Sequence, residues 1–306
     1  MIIKKKIKYF LFNMNENNFQ KGALFSLVGI LILIPDSLLI RLSDTSTPVL
    51  MTWRGLLMGF TLLMIWLIFF NRNEIKFFLS YKFFLVSFLS CIQSIAFTIG
   101  IMNSSVLIVL TSIATAPIFS AFLSIFFLKQ KYSFLEWTAM IIALIGVFIV
   151  VVDNTSQFFV YQNNKVIGGL MGIATAFCIS IIFTITRKDK NFAIIPSISL
   201  GSILSGLIGL SISYNFFLSI NNFLPIIIMG FFILPFSFLF IMLAPKYIDT
   251  SLVSLFLLLE MVFAPFLVWL FVDEEPTKKM FFGATLVFLS VLFYVYKQYK
   301  KAEFKL

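Results

Sequence analysis

Ten apolar runs, separated by short polar breaks, constrain this chain more than any other feature. They fall at roughly 21–42, 47–70, 82–102, 104–127, 135–152, 167–186, 194–214, 223–244, 250–272 and 279–296. A helix that crosses the hydrocarbon core of a bilayer needs about 20 predominantly apolar residues, and these runs have that length. Asn103, Ser104 and Ser105 divide the third run from the fourth. A single helix through both would be too long for an ordinary bilayer. Composition agrees, since 60% of the residues are hydrophobic and 12% are charged, whereas soluble proteins carry about 25% charged residues. The expected fold is an all-α membrane protein of ten transmembrane helices, and a pair of soluble domains is excluded.

A net charge of +10 would suggest nucleic acid as the partner of a soluble protein. In a membrane protein, Lys and Arg instead accumulate in cytoplasmic loops, so no nucleic-acid partner is expected. With the N-terminus inside, Lys4, Lys5, Lys6, Lys8 and Lys21 lie on the inner side, followed by Arg72, Lys76, Lys82, Lys129 and Lys131. Arg187, Lys188, Lys190, Lys246, Lys297, Lys300, Lys301 and Lys305 join them. The outer side receives Arg41, Lys165, Lys278 and Lys279, and Arg54 lies within a span. This asymmetry points to an even number of crossings with both termini inside (N-in/C-in). Basic cytosolic tails are expected at 1–20 and 297–306. The apolar stretch after the first lysines is too short and interrupted for a signal peptide.

The chain also repeats itself. Gly22 and Arg41 bracket the first span, and Gly168 and Arg187 bracket the sixth, each 146 positions later. The segment 114–133 aligns with 258–277 at a shift of 144. The halves 21–152 and 167–296, joined by an extracytoplasmic linker at 153–166, each hold five spans. An odd number forces the second half to enter the membrane upside down. Inverted repeats enclosing a site at their interface are a transporter architecture that works by alternating access.

Several motifs carry a resemblance. Ala116-Pro117-Ile118-Phe119 closes the fourth span. Leu259-Glu260-Met261-Val262-Phe263-Ala264 precedes Trp269-Leu270 and Asp273-Glu274, and Trp53-Arg54 lies in the second span. With the two five-helix halves, these residues resemble the EamA-like family of the drug/metabolite transporter superfamily. Met261 stands where that family has Pro, with Pro265 a turn later, and Lys129-Gln130 and Asp273-Glu274 stand where it has Gly-Glu. The resemblance implies a small-molecule substrate. Relatives export amino acids and other small metabolites, while some import them or exchange phosphorylated sugars and nucleotide-sugars.

Three ionisable residues, Asp36, Arg54 and Glu260, lie inside spans, where each costs about 2.5–3.5 kcal/mol near a span's centre on insertion scales. Asp36 and Arg54 both lie roughly 9–11 Å below the outer boundary at 1.5 Å per residue, on consecutive antiparallel spans, so they are expected to pair. That pair could read substrate or staple two helices. Glu260 lies about 15 Å deep. It could bind an amino or cationic group, carry a proton as the coupling residue, or serve as a hydrogen-bonder between helices. Gln93, Thr111 and Thr115 are further substrate-binding candidates, with Gln93 foremost because an amide both donates and accepts. Pro35, Pro117, Pro235 and Pro265 each remove a backbone donor and are expected to break or kink their helices. Gly168, Gly172, Ala176 and Ser180, Gly201, Ser205 and Gly209, and Gly55 and Gly59 form small-residue faces suited to close packing.

The chain has no His, the commonest metal ligand, and Cys91 and Cys178 sit apart in apolar runs as expected buried free thiols. No metal or cofactor is expected. Neither HExxH, a Ser/His pair nor a Gly-rich phosphate loop is present, which argues against an enzyme, and no long polar segment offers a receptor domain. A channel is a third possibility, disfavoured by kinked inverted repeats. The expected function is secondary transport of an amino acid or related zwitterion, by export, across a bacterial cytoplasmic (inner) membrane, with the lipid bilayer as partner and a monomer or homodimer as the assembly. The alternative is an uptake permease for a nucleoside-like or methylated-amine solute. Reporter fusions at the two ends of the chain test the topology. Both should report the cytoplasm, and opposite sides would overturn the even count.

Overall fold

The computed structural model describes residues 18–69, 80–104, 106–152, 165–213, 220–272 and 278–303, and every regular element among them is helical. The first span is split into α1 (Asn18–Leu33) and α2 (Asp36–Leu42), which meet at Ile34 and Pro35. The second and third spans are α3 (Thr47–Phe69) and α4 (Tyr81–Asn103). The fourth is again split, into α5 (Val106–Ile113) and α6 (Ala116–Leu128). Next come α7 (Phe134–Val152), α8 (Lys165–Lys188) and α9 (Ile194–Ile212). The eighth span is composite: α10 (Ile220–Ile227), a π-helical stretch (Ile228–Ile233), α11 (Leu234–Leu243) and a 3-10 turn (Ala244–Lys246). α12 (Thr250–Val272) and α13 (Lys278–Glu303) complete the bundle.

Among the described residues, eight helices are long and apolar enough to cross a membrane. Two shorter apolar stretches, Phe134–Ile149 and Thr250–Phe263, stand where the fifth and ninth spans were expected. The prolines act unequally. Pro35 sits in the interruption between α1 and α2, and Pro117 opens α6 just after the second interruption. Both follow from the missing N–H, which cannot complete the ladder. Pro235 occupies the first turn of α11, directly after the π stretch, where the lost donor is absorbed by wider i→i+5 bonding rather than by a break. α12 runs through Pro265 without interruption, contrary to the expected break. In a bundle, neighbouring helices can satisfy the single carbonyl a proline frees.

The ends also differ from expectation. α13 continues to Glu303, so the segment read as a tail from 297 begins as helix. Lys21, counted on the inner side, is buried, its Nζ 4.9 Å from the Tyr247 ring centroid. Residues 1–17, most of the 153–166 linker and Asp273-Glu274 lie outside the described residues. Cys91 and Cys178 are free and buried.

The bundle is apolar outside, and within it large apolar side chains are interleaved with small and polar ones. Phe88, Phe126 and Phe148 are exposed, whereas Phe25, Phe183 and Leu50 are buried beside fully buried Ser120, Ser124, Ser180, Ser197 and Ser199. An apolar exterior suits a lipid surround, and small residues let backbones approach. α3 packs on α9, α4 on α8, α1 on α11, α7 on α13, and the α5–α6 pair on both α8 and α12. The α3–α9 contact is backbone on backbone: a Cβ on Gly55 would stand 2.6 Å from the Gly206 nitrogen and 2.6 Å from the Ser202 carbonyl oxygen. The small-residue faces therefore pack within the chain. Hydroxyls join α6, α8 and α12, with Ser120 Oγ donating to Ser180 Oγ at 3.0 Å and lying 2.6 Å from Ser254 Oγ.

The Phe19 and Tyr299 rings meet with centroids 6.0 Å apart, so the start of α1 and the end of α13 share one face of the bundle. The connections after α6, α8 and the 3-10 turn lie on that face too. On it, Lys82 Nζ sits 2.8 Å from Asp189 Oδ2, and Lys246 Nζ donates to the Phe192 carbonyl at 3.0 Å. On the opposite face, Asn222 Nδ2 donates to the Asp44 carbonyl at 3.2 Å.

Lys129 ends α6 in the left-handed region, at φ 53, which costs an L-residue roughly 1–2 kcal/mol relative to glycine. Lys129→Gly should therefore raise stability by about 1 kcal/mol, read as a later thermal unfolding midpoint in detergent. An unchanged or lower midpoint would contradict this local strain.

Candidate functional site

Asp36, Arg54, Gln93 and Glu260, from four different helices, line one cavity inside the bundle, together with largely apolar neighbours. Its space, with the adjoining open solvent at the mouth included, is ≈ 710 Å³. Each polar residue reaches it for a local reason. Asp36 is the first residue of α2, immediately after the proline interruption, so its side chain leaves the chain where the helix axis is broken. Arg54 precedes Gly55, the residue that draws α3 onto α9. Gln93 shares the cavity wall with Ser90, Ser94 and Phe97, the three- and four-residue spacing of one helical face. Glu260 enters from α12 with Leu257 one turn before it on the same helix, and Ile241 and Phe238 of α11 line the same cavity.

The expected Asp36–Arg54 pair is formed. Arg54 Nη2 donates to Asp36 Oδ2 at 2.8 Å, with Asp36 fully buried and Arg54 nearly so. The guanidinium is held from two further sides. Its Cζ lies 4.7 Å from the Phe97 ring centroid, and Nη1 lies 3.9 Å from Met229 Sδ in the π stretch. Three oxygens of the same residues have no hydrogen-bond partner: Asp36 Oδ1, Gln93 Oε1 and Glu260 Oε1. A buried acceptor left unsatisfied costs about 1–3 kcal/mol, so three in one cavity mark a place built for donors. Two hydroxyls on the walls point their protons elsewhere. Thr175 Oγ1 donates to the Met171 carbonyl at 2.8 Å, and Ser202 Oγ donates to Met58 Sδ at 3.6 Å.

Thr111 and Thr115 are not among the lining residues, although Ile113 between them is. Thr115 Oγ1 donates to the Ser112 carbonyl at 2.7 Å, the back-bonding that competes for hydroxyls in apolar helices. Phe97, Met229 and Met58 are apolar and were not among the residues the sequence pointed to. The signal for Phe97 was present, because it lies one turn from Gln93.

A second polar cluster lies on the face that carries the two chain ends. Asp249 Oδ1 accepts from Gln130 Nε2 at 3.0 Å and from Arg187 Nη2 at 3.4 Å. Arg187 Nη1 also reaches the Pro245 and Lys246 carbonyls, both at 3.3 Å. Tyr132 donates to Gln130 Oε1 at 3.0 Å and accepts from Ser251, whose hydroxyl lies 2.9 Å from the Tyr294 hydroxyl. Burial, aided by the Asp249 carboxylate, pushes the Tyr132 hydroxyl up to about 12, so it remains a donor at neutral pH. Ser133 and Glu136 cap α7 reciprocally, and Glu136 also accepts from Gln298 Nε2 at 2.8 Å. The cluster thus ties the connection after α6 to the end of α8, the start of α12 and α13.

Residues 166–296 match the EamA-like transporter family. The uncharacterized transporter YdfC of Bacillus subtilis (strain 168) is 27% identical over 218 residues, covering 69% of this chain and 69% of the relative. A protein known from a crystal structure superposes with a TM-score of 0.73 over 90% of this chain and 96% of its own, at 13% identity, a likeness of fold alone.

Removing one partner of a buried ion pair leaves an uncompensated charge and costs about 3–5 kcal/mol. Asp36→Ala should destabilise the protein by that amount, and the double variant Asp36→Leu/Arg54→Met should recover most of it. Thermal unfolding in detergent reads both. Additive losses in the double variant would show that the two residues are not coupled.

Proposed function

We propose that this chain, whose residues 166–296 match the EamA-like transporter family, is a secondary transporter moving an amino acid or related zwitterion out of the cell, across a bacterial cytoplasmic membrane, by alternating access. The observation that carries this reading is the convergence of Asp36, Arg54, Gln93 and Glu260 on one apolar-walled cavity. Ionisable groups within spans mark substrate and ion pathways by default. Gln93 and Glu260 offer acceptors to an amino group, and Arg54 is the cation of the walls. Glu260 is also the candidate for carrying a coupling proton.

The repeat reading, 21–152 against 167–296, is supported by how the spans pair. The contact of the third span with the sixth has its counterpart in that of the eighth with the first. The second–seventh and fifth–tenth contacts each map onto themselves when the halves are exchanged. Inverted halves around a midplane site are what rocking-type alternating access requires. The face shared by the start of α1 and the end of α13 is then the cytoplasmic one, where most Lys and Arg fall. The Asp249–Gln130–Arg187 cluster serves as the gate on that side, since Gln130 belongs to the first half and its two partners to the second.

Counterflow in proteoliposomes tests the reading. Vesicles loaded with an unlabelled amino acid should accumulate its labelled form saturably, and Glu260→Gln should lower the rate at least tenfold and flatten its pH profile. A Glu260→Gln protein with wild-type rate and pH profile would remove that residue from coupling. Solute-independent ion current without exchange would replace the transporter with a channel.

A further inference from the structure

The cavity's unmet demand is lopsided. Asp36 Oδ1, Gln93 Oε1 and Glu260 Oε1 are all acceptors, all buried, and all without a donor. Among the lining residues, the cation that could answer them is already engaged. Arg54 holds Asp36 through Nη2, lies under the Phe97 ring and has Met229 Sδ beside Nη1. The nearby hydroxyls of Thr175 and Ser202 donate to a helix carbonyl and a thioether. A ligand that satisfies these three oxygens therefore brings hydrogen-bond donors, and an ammonium group supplies three of them. The rest of the wall is aliphatic and aromatic, including Leu33, Ile113, Ile179, Phe238, Ile241 and Leu257, so the body that carries those donors is apolar.

We propose that this cavity recognises a primary ammonium group on an apolar body through Asp36 Oδ1, Gln93 Oε1 and Glu260 Oε1, and that a carboxylate on the ligand is dispensable. A primary ammonium carries three N–H donors, matching three acceptors. Two of these acceptors are carboxylates, which form the stronger, charge-assisted bonds. With Arg54 neutralised by Asp36, the remaining carboxylate, Glu260, leaves the cluster without a free positive charge for an anion. A site built to hydrogen-bond N–H groups rejects analogues lacking them far more strongly than a hydrophobic pocket rejects a change of size, because its polar atoms stay unpaired. A quaternary ammonium has the right charge and no N–H, and falls in the rejected class. The proposal rests on the reading of this cavity as the transport site, and it sharpens that reading to the amino end of the substrate.

The test uses the full-length protein in nanodiscs and four matched probes: 2-phenylethylamine, phenylalanine, N,N,N-trimethyl-2-phenylethylammonium and 3-phenylpropionate. Binding is read by ligand-dependent thermal shift and by inhibition of amino-acid counterflow. The amine should bind at least as tightly as the amino acid. The trimethylated analogue should bind at least tenfold more weakly, and the carboxylic acid should not bind. Gln93→Leu, which removes an acceptor and no charge, should narrow the gap between primary and quaternary amines. These ligand comparisons on the unaltered protein stand even if that variant does not fold. Equal binding of the quaternary amine would overturn the N–H requirement. Binding of phenylalanine without the amine would overturn the dispensable carboxylate while leaving amino-acid transport standing. Counterflow of an amino acid that none of the four probes inhibits would sink this proposal alone, whereas absence of counterflow together with absence of binding would sink both readings.

Discussion

A buried carboxylate and guanidinium 2.8 Å apart, inside a bundle with an apolar exterior, constrain the arrangement of everything around them. Either ion alone would be expensive at that depth, so α2 and α3 must stay adjacent for each to be tolerable. Even paired, a guanidinium has more donors than one carboxylate oxygen can take. The structure answers with an aromatic face from α4 and a thioether from the π stretch. Four separate segments of chain are thereby committed to one charge. The cavity is what remains between them and α12.

Much of this was legible beforehand because a bilayer is an unforgiving solvent. Span positions follow from the length of apolar runs, and the Asp36–Arg54 contact follows from matching depth on antiparallel neighbours. Gln93 and Glu260 were legible for the same reason, being polar where polarity is costly. Thr111 and Thr115 were harder, because a hydroxyl can satisfy itself on its own helix, as Thr115 does, and sequence alone does not say which hydroxyls will. Phe97 and Met229 were hidden by abundance, since an apolar residue that caps a cation looks like one that faces lipid. The effect of prolines was only half readable. Whether the ladder breaks, as at Pro35, widens, as before Pro235, or continues, as through Pro265, depends on neighbours that can absorb a freed carbonyl.

The connection after α6 has Lys129 in a left-handed conformation and Gln130 bonded to Asp249. The carboxylate at this point is supplied by Asp249, just before α12, and not by the connection itself. Gln130 contributes an amide that donates to Asp249 and accepts from Tyr132. The connection is therefore held to the start of α12 by a polar link, at the cost of a strained backbone at Lys129.

Phe19 and Tyr299 touch, so the bundle has no open seam between its first and last helices. A short linker between them would close the polypeptide into a circle, and reopening it between α8 and α9 would give a permuted chain that begins and ends on the same face. Such a chain would insert its helices in a different order yet could reach the same packing, because no segment would have to cross the bilayer in the reverse sense. A permuted chain that reached the same packing would separate insertion order from final architecture.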